Sequence, residues 1–320
     1  MITGGSGFLG QEVIKRLTGE DVRITGLARS DSSAQTLRNL GVEPVLGSLD
    51  NIREWASALD GRDVVVHCAA PVEFWGKWEK FEKGILNATK ELYRASEERG
   101  VKRFIYVSSE SVLQDKKDLV DVDETEPYPK EPNSYYGKAK MLAEQFIAAQ
   151  KGPMESIIFR PPFIWGKGVK ALDAIEEKIR SKDFMWVDHG RALFEMVHVK
   201  NVAEAVYLAI QSGAEHHGEI FFVTDDNPQP VRDFLTKLLA TRGIAPPDKN
   251  IPKRAATALA GVVETIWKAF GRTSSPPITR FDVAFVAMSR KYNISKIKKA
   301  LNYHPVVSEQ EGLQEMRETP

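Results

Sequence analysis

Three groups of residues in this chain have the types and spacing for chemistry. Tyr136 and Lys140 stand four apart in Tyr-Gly-Lys-Ala-Lys. On a helix those positions share a face, so a phenol and an ammonium can point into one site. A free tyrosine titrates near pH ~10. A neighbouring ammonium favours the phenolate and lowers that value, which would let Tyr136 act as general acid or base near neutral pH. Ser108-Ser109 follows the apolar run Phe104–Val107. A hydroxyl at the end of a strand can hydrogen-bond a carbonyl or alcohol oxygen, and it can equally cap a turn. Gly4-x-x-Gly7-x-x-Gly10 opens a helical pattern that begins through Phe8 and Leu9. Glycines there permit a tight turn and close approach of a pyrophosphate, which the free N–H groups of the helix start would receive.

The elements that must position these groups alternate. Val22–Ala28, Val42–Leu46, Val64–Cys68, Phe104–Val107 and Ser156–Phe159 read as strands. Helical patterns fill Gln11–Leu17, Asn51–Leu59, Phe81–Arg99 and Tyr135–Gln150. This alternation predicts βαβ units and a parallel sheet. Only Met1 and Ile2 precede Thr3, so the strand before the glycine loop is either clipped or begins upstream of the given start. Pro161-Pro162 breaks the pattern. The expected division is a dinucleotide-binding domain over 1–160 and a mainly substrate-binding region over 161–320, with some segments returning to the sheet. In the second part Val199–Gln211 reads as a helix opened by His198, and Phe221–Val223 as a strand. Ala255–Phe270 is a helix with one apolar face. That face suits packing on its own domain, a pocket wall or a membrane surface.

Composition narrows the function classes. The 320 residues carry 44 Lys+Arg and 44 Asp+Glu, so formal net charge is zero and no nucleic-acid partner is expected. One cysteine, Cys68, allows no internal disulfide. No apolar run reaches the ~18 residues of a membrane span. No signal-peptide pattern opens the chain, so a cytoplasmic location is expected. No His, Cys or carboxylate spacing suggests a metal site.

Ala28-Arg29-Ser30 ends the second strand. A carboxylate there would bind the adenosine ribose 2′-OH of NAD, whereas Arg29 can grip a 2′-phosphate. NADP is therefore favoured over NAD. Large apolar residues follow the strand ends: Phe74, Trp75, Trp78, Phe163, Trp165, Phe184 and Trp186. They suit either a core or an apolar small-molecule substrate.

The glycine loop, the serine after the strand and Tyr-x-x-x-Lys, in that order, resemble the extended short-chain dehydrogenase/reductase superfamily of epimerase/dehydratase type. His67-Cys68-Ala69-Ala70, Tyr106-Val107-Ser108-Ser109, Arg160-Pro161-Pro162, Trp165-Gly166, His198-Val199, Pro276–Phe281 and Leu301–Pro305 resemble its 3β-hydroxysteroid dehydrogenase/isomerase-like branch. The resemblance implies an α/β Rossmann-type, doubly wound parallel sheet with a smaller C-terminal α/β substrate-binding domain. It implies an NAD(P)-dependent oxidoreductase acting between an alcohol and a ketone on a sterol-like or 2-alkyl-3-oxo acid substrate. Ser109, Tyr136 and Lys140 fall at its catalytic positions. Gly4, Gly7 and Gly10 fall at the pyrophosphate, Ala69 and Ala70 on the adenosine side, and Pro162 and Ile164 by the nicotinamide. Three positions depart from the family pattern. Ile85 occupies the place of an asparagine, with Asn87 nearby; Ser48, before Leu49, replaces an adenine-contacting aspartate; and Val112-Leu113-Gln114 replaces Val-Tyr-Gly. A sugar-nucleotide epimerase and a non-catalytic dinucleotide-binding regulator stay open as alternatives. So does a homodimer through the helices at 81–99 and 135–150, which family members often form.

Overall fold

The computed structural model describes residues 1–71, 73–272 and 274–318. Chain order gives β1 Ile2–Thr3, α1 Phe8–Leu17, β2 Thr25–Ala28, α2 Asp31–Asn39, β3 Glu43–Leu46, β4 Val64–His67, α3 Ala88–Glu98 and β5 Arg103–Val107. Then follow α4 Tyr135–Ala148, β6 Glu155–Arg160, α5 Val199–Gln211, β7 Glu219–Phe222, α6 Lys253–Ala269 and α7 Arg280–Ala287. The seven strands form one sheet in the order β3-β2-β1-β4-β5-β6-β7, and every pairing is parallel. This is a doubly wound, Rossmann-type arrangement, whose ligand crevice lies beyond the strand C-termini where the order reverses at β1 and β4.

The central strands are apolar because helices cover both faces. Val65, Val66, Phe104, Ile105, Ile157, Ile158 and Phe159 are all buried. β1 is only two residues long, yet it pairs on both sides, Ile2 with Gly26 and Val66 and Thr3 with His67. β7 joins the sheet from beyond residue 160 and pairs with β6 over four residues. The same stretch of chain holds a separate apolar cluster of Trp165, Leu172, Phe184, Trp186, Phe194, Phe234 and Leu238.

Several elements differ from the sequence reading. Asn51–Leu59 is not an α-helix but two short 3₁₀ turns, Ile52–Glu54 and Ala56–Leu59. The Trp55 indole donates to Ser48 O at 2.8 Å, which satisfies that carbonyl from a side chain. The pattern over 81–99 is broken by a π-helical stretch at Glu82–Asn87, a distortion that frequently marks functional sites. α2 was not foreseen: its polar sequence hides a two-residue buried stripe, Ala34 and Leu37. In α6 the packed face is Ala256 and Ala260, while Leu259, Val262, Ile266 and Phe270 point outward.

One buried ion pair pins β6 to α4. Arg160 Nη2 donates to Glu144 Oε2 at 2.8 Å, the two side chains are 1% and 0% exposed, and Tyr128 OH donates to the same carboxylate at 2.8 Å. Removing one partner leaves an uncompensated buried charge. Glu144→Gln should therefore lower unfolding free energy by about 3 kcal/mol or more, read by urea denaturation; an unchanged midpoint would contradict the role.

Candidate active site

The ends of β4 and β5 and the start of α4 converge. After Val107 the chain turns through Glu110–Val112, and Ser109 caps that turn, its Oγ accepting the Ser111 N–H at 3.2 Å. Ser134 caps α4 in the same way, accepting the Gly137 N–H at 3.0 Å. A Cβ on Gly137 would lie 2.5 Å from Ser111 O, so glycine lets the first turn of α4 sit directly on the turn after Ser109. Tyr136 and Lys140 then share the inward face, 8% and 2% exposed. Lys140 Nζ donates to Val107 O at 2.7 Å and lies 4.6 Å from the Tyr106 ring and 6.0 Å from the Tyr136 ring.

The electrostatics correct one expectation. Burial pushes the Tyr136 phenol up to about 12; a hydrogen bond with Ser109 opposes this and the charge of Glu110 adds to it. Lys140 is not the group that pulls the phenol down: its Nζ is aimed at Val107 O, 6.0 Å from the Tyr136 ring, and burial outweighs it. Burial in turn pulls Lys140 down to about 8, against the charges of Cys68 and Glu144. Tyr136 is thus held protonated at neutral pH, as a proton donor requires.

The glycine loop fits an anion. Gly4 has φ +74° and a Cβ there would meet Ala69 N at 2.8 Å. A Cβ on Gly10 would collide with Gly4 O and sit 2.6 Å from Gly5 Cα, so α1 can pack on the loop only with glycine. Gly7, the N-cap of α1, offers no side-chain cap, and a Cβ there would meet only Gly4 O, at 3.1 Å. The loop therefore leaves the start of α1 without a side-chain cap, the kind of N-terminus that receives an anion such as a pyrophosphate. Phe8, Leu9, Ala69 and Ala70 border it, half-buried. Arg29 and Ser30 stand exposed after β2, and Arg29 makes no ion pair among the described residues. Ser48 follows β3, with its hydroxyl 3.4 Å from Asp50. Asp50, ion-paired with Lys83 at 2.9 Å, supplies a carboxylate near that edge in spite of the serine. Leu49 is half-buried beside it. Pro162 precedes, and Ile164 lies within, the short strand Phe163–Trp165, which pairs with Met196–His198.

An aromatic wall runs from the phenol outward. Phe74 meets Tyr136 edge-on at 5.2 Å and stacks on Phe281 at 4.2 Å. Phe281 leads to Phe285 at 5.9 Å, Phe285 to Phe194 at 5.2 Å, and Phe194 to Phe163 at 6.0 Å. Of the aromatics singled out from sequence, Phe74 and Phe163 belong to this wall. Trp165, Phe184 and Trp186 belong to the same buried cluster as Phe194 but meet other rings, Trp165 that of His198 and Phe184 that of Trp186, and Trp75 and Trp78 lie under the lysines Lys268 and Lys138. Phe194 and Phe285 were missed; the i, i+4 pair Phe281/Phe285 on one helix face was the available signal. Ile85 sits in the π-helical stretch and packs with Phe81, Tyr136 and Ala139, while Asn87 is exposed. An apolar side chain thus backs Tyr136 where a polar one was looked for. His198 is buried against Trp165 at 4.7 Å and gives its backbone N–H to Asp225 at 2.8 Å, a packing role.

Comparison with known proteins gives the family. A profile of the 3-beta hydroxysteroid dehydrogenase/isomerase family matches residues 1–253. The chain belongs to that family. It is 35% identical over 319 residues to a 4-hydroxy-2-methyl-3-oxo-4-farnesyl-3,4-dihydroquinoline-1-oxide ketoreductase of Stigmatella aurantiaca, covering 99% of this chain and 95% of the relative. It is 29% identical to a decarboxylating sterol-4-alpha-carboxylate 3-dehydrogenase of Dictyostelium discoideum, covering 98% of each. The crystal structure of gox2253 superposes with a TM-score of 0.80 at 26% identity, over 98% of this chain and 95% of that one. A Thermotoga maritima UDP-glucose 4-epimerase shares the fold at TM-score 0.74 and 20% identity, over 99% and 96%. The chain is accordingly a dehydrogenase/reductase of the nicotinamide-dependent class.

Lys140 carries a stability consequence of known sign. Its folded-state value near 8 lies below the free value of 10.5. The buried ammonium therefore costs stability fully below pH 8, and the cost fades as pH rises from 8 to 10.5. The displacement corresponds to about 3 kcal/mol at neutral pH. Lys140→Met should keep or raise the melting temperature at pH ~7 while losing turnover; a large drop in melting temperature would show that the bond to Val107 O outweighs the burial cost.

Proposed function

We propose that this protein reduces a ketone, or oxidises the matching secondary alcohol, on an apolar substrate, with NADP preferred over NAD. The observation that carries the reading is the convergence of Ser109, Tyr136 and Lys140 beside an open glycine cradle and under an aromatic wall. When bound, the nicotinamide dinucleotide supplies the hydride donor or acceptor. Gly4, Gly7 and Gly10 with the start of α1 would hold its pyrophosphate, Arg29 and the Ser30 end of α2 a ribose 2′-phosphate, and Ala69, Ala70, Leu49, Pro162 and Ile164 its flanks. Tyr136 gives its proton to the oxygen of the ketone as that oxygen gains charge. Ser109 donates a hydrogen bond to the same oxygen, an oxyanion-type role. Lys140 fixes the Val107 carbonyl and so the turn that carries Ser109. The region beyond residue 160 provides most of the apolar wall.

The farnesylated and sterol substrates in the names of the two relatives support an extended, lipophilic ligand. An epimerase would need cations for a second diphosphate; Phe74 and Phe81 pack with Tyr136 instead. Turnover is tested by nicotinamide absorbance with a 3β-hydroxysteroid, a C4-carboxylated sterol and a 2-alkyl-3-hydroxy fatty acid, each with NADP and NAD. Tyr136→Phe should abolish turnover and keep dinucleotide binding, whereas wild-type rates would remove the assignment. Arg29→Ala should weaken NADP binding about tenfold or more and leave NAD unchanged. Dinucleotide bound without turnover of any alcohol would favour the regulator.

A lipid surface fits the outward face of α6. Leu259, Val262, Ile266 and Phe270 are 45%, 58%, 45% and 76% exposed on one side of that helix. Residues 253–280 hold five cations, Lys253, Arg254, Lys268, Arg272 and Arg280, against one acid, Glu264. Apolar side chains flanked by cations are what an anionic bilayer attracts. Lys268 lies 5.8 Å from the Trp75 ring, next in sequence to Phe74, so this face adjoins the mouth of the aromatic wall. No helix among the described residues is long and apolar enough to cross a membrane. The protein should float with vesicles containing phosphatidylserine, less with phosphatidylcholine alone, and Ile266→Glu with Phe270→Glu should abolish flotation; a salt-independent dimer broken by the same substitutions would point to a second copy instead.

A further inference from the structure

Glu110 follows Ser109 directly and is 2% exposed. Three donors converge on its carboxylate, making four contacts. Gln114 Nε2 donates at 2.6 and 2.7 Å, Tyr292 OH at 2.7 Å and Arg290 Nη1 at 3.3 Å. Each partner belongs to a different part of the site. Gln114 closes the turn after Ser109, and its carbonyl accepts the Asn133 N–H at 2.8 Å, next to the cap of α4. Arg290, 2% exposed, lies 4.3 Å from the Phe285 ring and 4.8 Å from Phe194, inside the aromatic wall. Tyr292 stacks on Phe222 at the end of β7 at 4.4 Å and gives its N–H to the buried Glu195 at 2.7 Å. Arg290–Tyr292 itself forms a short strand beside Leu119–Val122.

A hydrophobic side chain at position 110 would fill space without distinguishing these partners. A buried carboxylate must have all of them in place, because a missing donor leaves charge unsatisfied. We propose that Glu110 is a positioning residue, whose carboxylate locks the turn carrying Ser109 to the wall residue Arg290 and to the β7-bound Tyr292, so that substrate packing against the wall sets the placement of Ser109. This rests on the dehydrogenase reading above. The charge of Glu110 also holds the Tyr136 phenol up; the titratable groups that face it are Lys140 on its own helix, 6.0 Å from the ring, and Tyr106 on β5.

The test compares wild type with Glu110→Gln and Tyr292→Phe. NMR of tyrosine labelled at Cζ, with Tyr136 assigned by its loss in Tyr136→Phe, follows the phenol without any substrate. Removing the negative charge favours the phenolate, so in Glu110→Gln the phenol should begin to titrate at lower pH than in wild type. The high-pH limb of kcat for ketone reduction should move down with it, and kcat should fall about tenfold with KM for the dinucleotide unchanged. Tyr292→Phe keeps the charge and removes one donor, so its phenol should titrate no lower than wild type while kcat falls. A merely structural role would lower stability and leave the titration alone. An unchanged phenol titration with intact kcat in Glu110→Gln overturns the proposal. Should that variant not fold, Tyr292→Phe decides: reduced kcat at unchanged dinucleotide KM supports it, and wild-type kcat overturns it. If wild type turns over no ketone, the dehydrogenase reading fails, and the titrations still decide whether Glu110 acts on Tyr136.

Discussion

The bond from Lys140 to the carbonyl of Val107 is the constraint on which the site hangs. A parallel strand that stops leaves its last carbonyl without a ladder partner. Here a buried ammonium from α4 takes that carbonyl, and in doing so fixes the distance between helix and strand. The residues proposed to do the chemistry lie within a few residues of the two ends of this bond. Ser109 is two residues beyond the carbonyl, and Tyr136 is one helical turn before the ammonium. The bond is made in a place that disfavours charge, which is why it holds its geometry: neither group has water to turn to. The glycine loop imposes the complementary constraint on the other side of the crevice, with Gly4 and Gly10 excluding any side chain from the contact of α1 with β1 and Ala69.

A second layer of buried charges ties the later half of the chain to this frame. Asp225, half-buried and pushed up to about 6 by burial, accepts from Trp165, Asn201 and the backbone of His198. Glu195 accepts from Thr224 and Tyr292. These carboxylates stand where segments beyond residue 160 meet β7 and α5. The aromatic wall rests on these supports, with Phe194 and Phe281 themselves buried. Phenylalanine-on-phenylalanine contacts tolerate ligands of varied outline, whereas a carboxylate with three donors has one arrangement.

Much of this was legible in the sequence. The β-strand cores are continuous apolar runs, and Tyr136, Lys140, Ser109 and the three glycines declare themselves by spacing. The misses have physical causes. Asn51–Leu59 carries helix-like periodicity, yet it is short and its turns are fastened by the Trp55 side chain, so local pattern lost to a tertiary hydrogen bond. The direction of the Tyr136 perturbation was misjudged because pairing is visible in sequence and desolvation is not. Trp165 and Trp186 suit either a core or a pocket by position alone, and the fold gives them to the core. Arg290 and Tyr292 come ~180 residues after Ser109, and no spacing rule joins positions that only the folded sheet brings together. The outward apolar face of α6 was visible as periodicity; which side it turned was not.

The pairing of β6 with β7 has a consequence for how the chain is made. β6 ends at residue 160 and its outer neighbour runs from 219 to 222, so about sixty residues must be synthesised before that edge is covered. During this interval the nascent sheet presents Ser156, Ile157, Ile158 and Phe159 on a flat, apolar border, the kind of border that recruits other strands. Sheet closure at long sequence separation is also entropically slow. The Rossmann half of the molecule is therefore assembled around an open seam, and the timing of synthesis against aggregation is set by the length of the segment that builds the substrate wall.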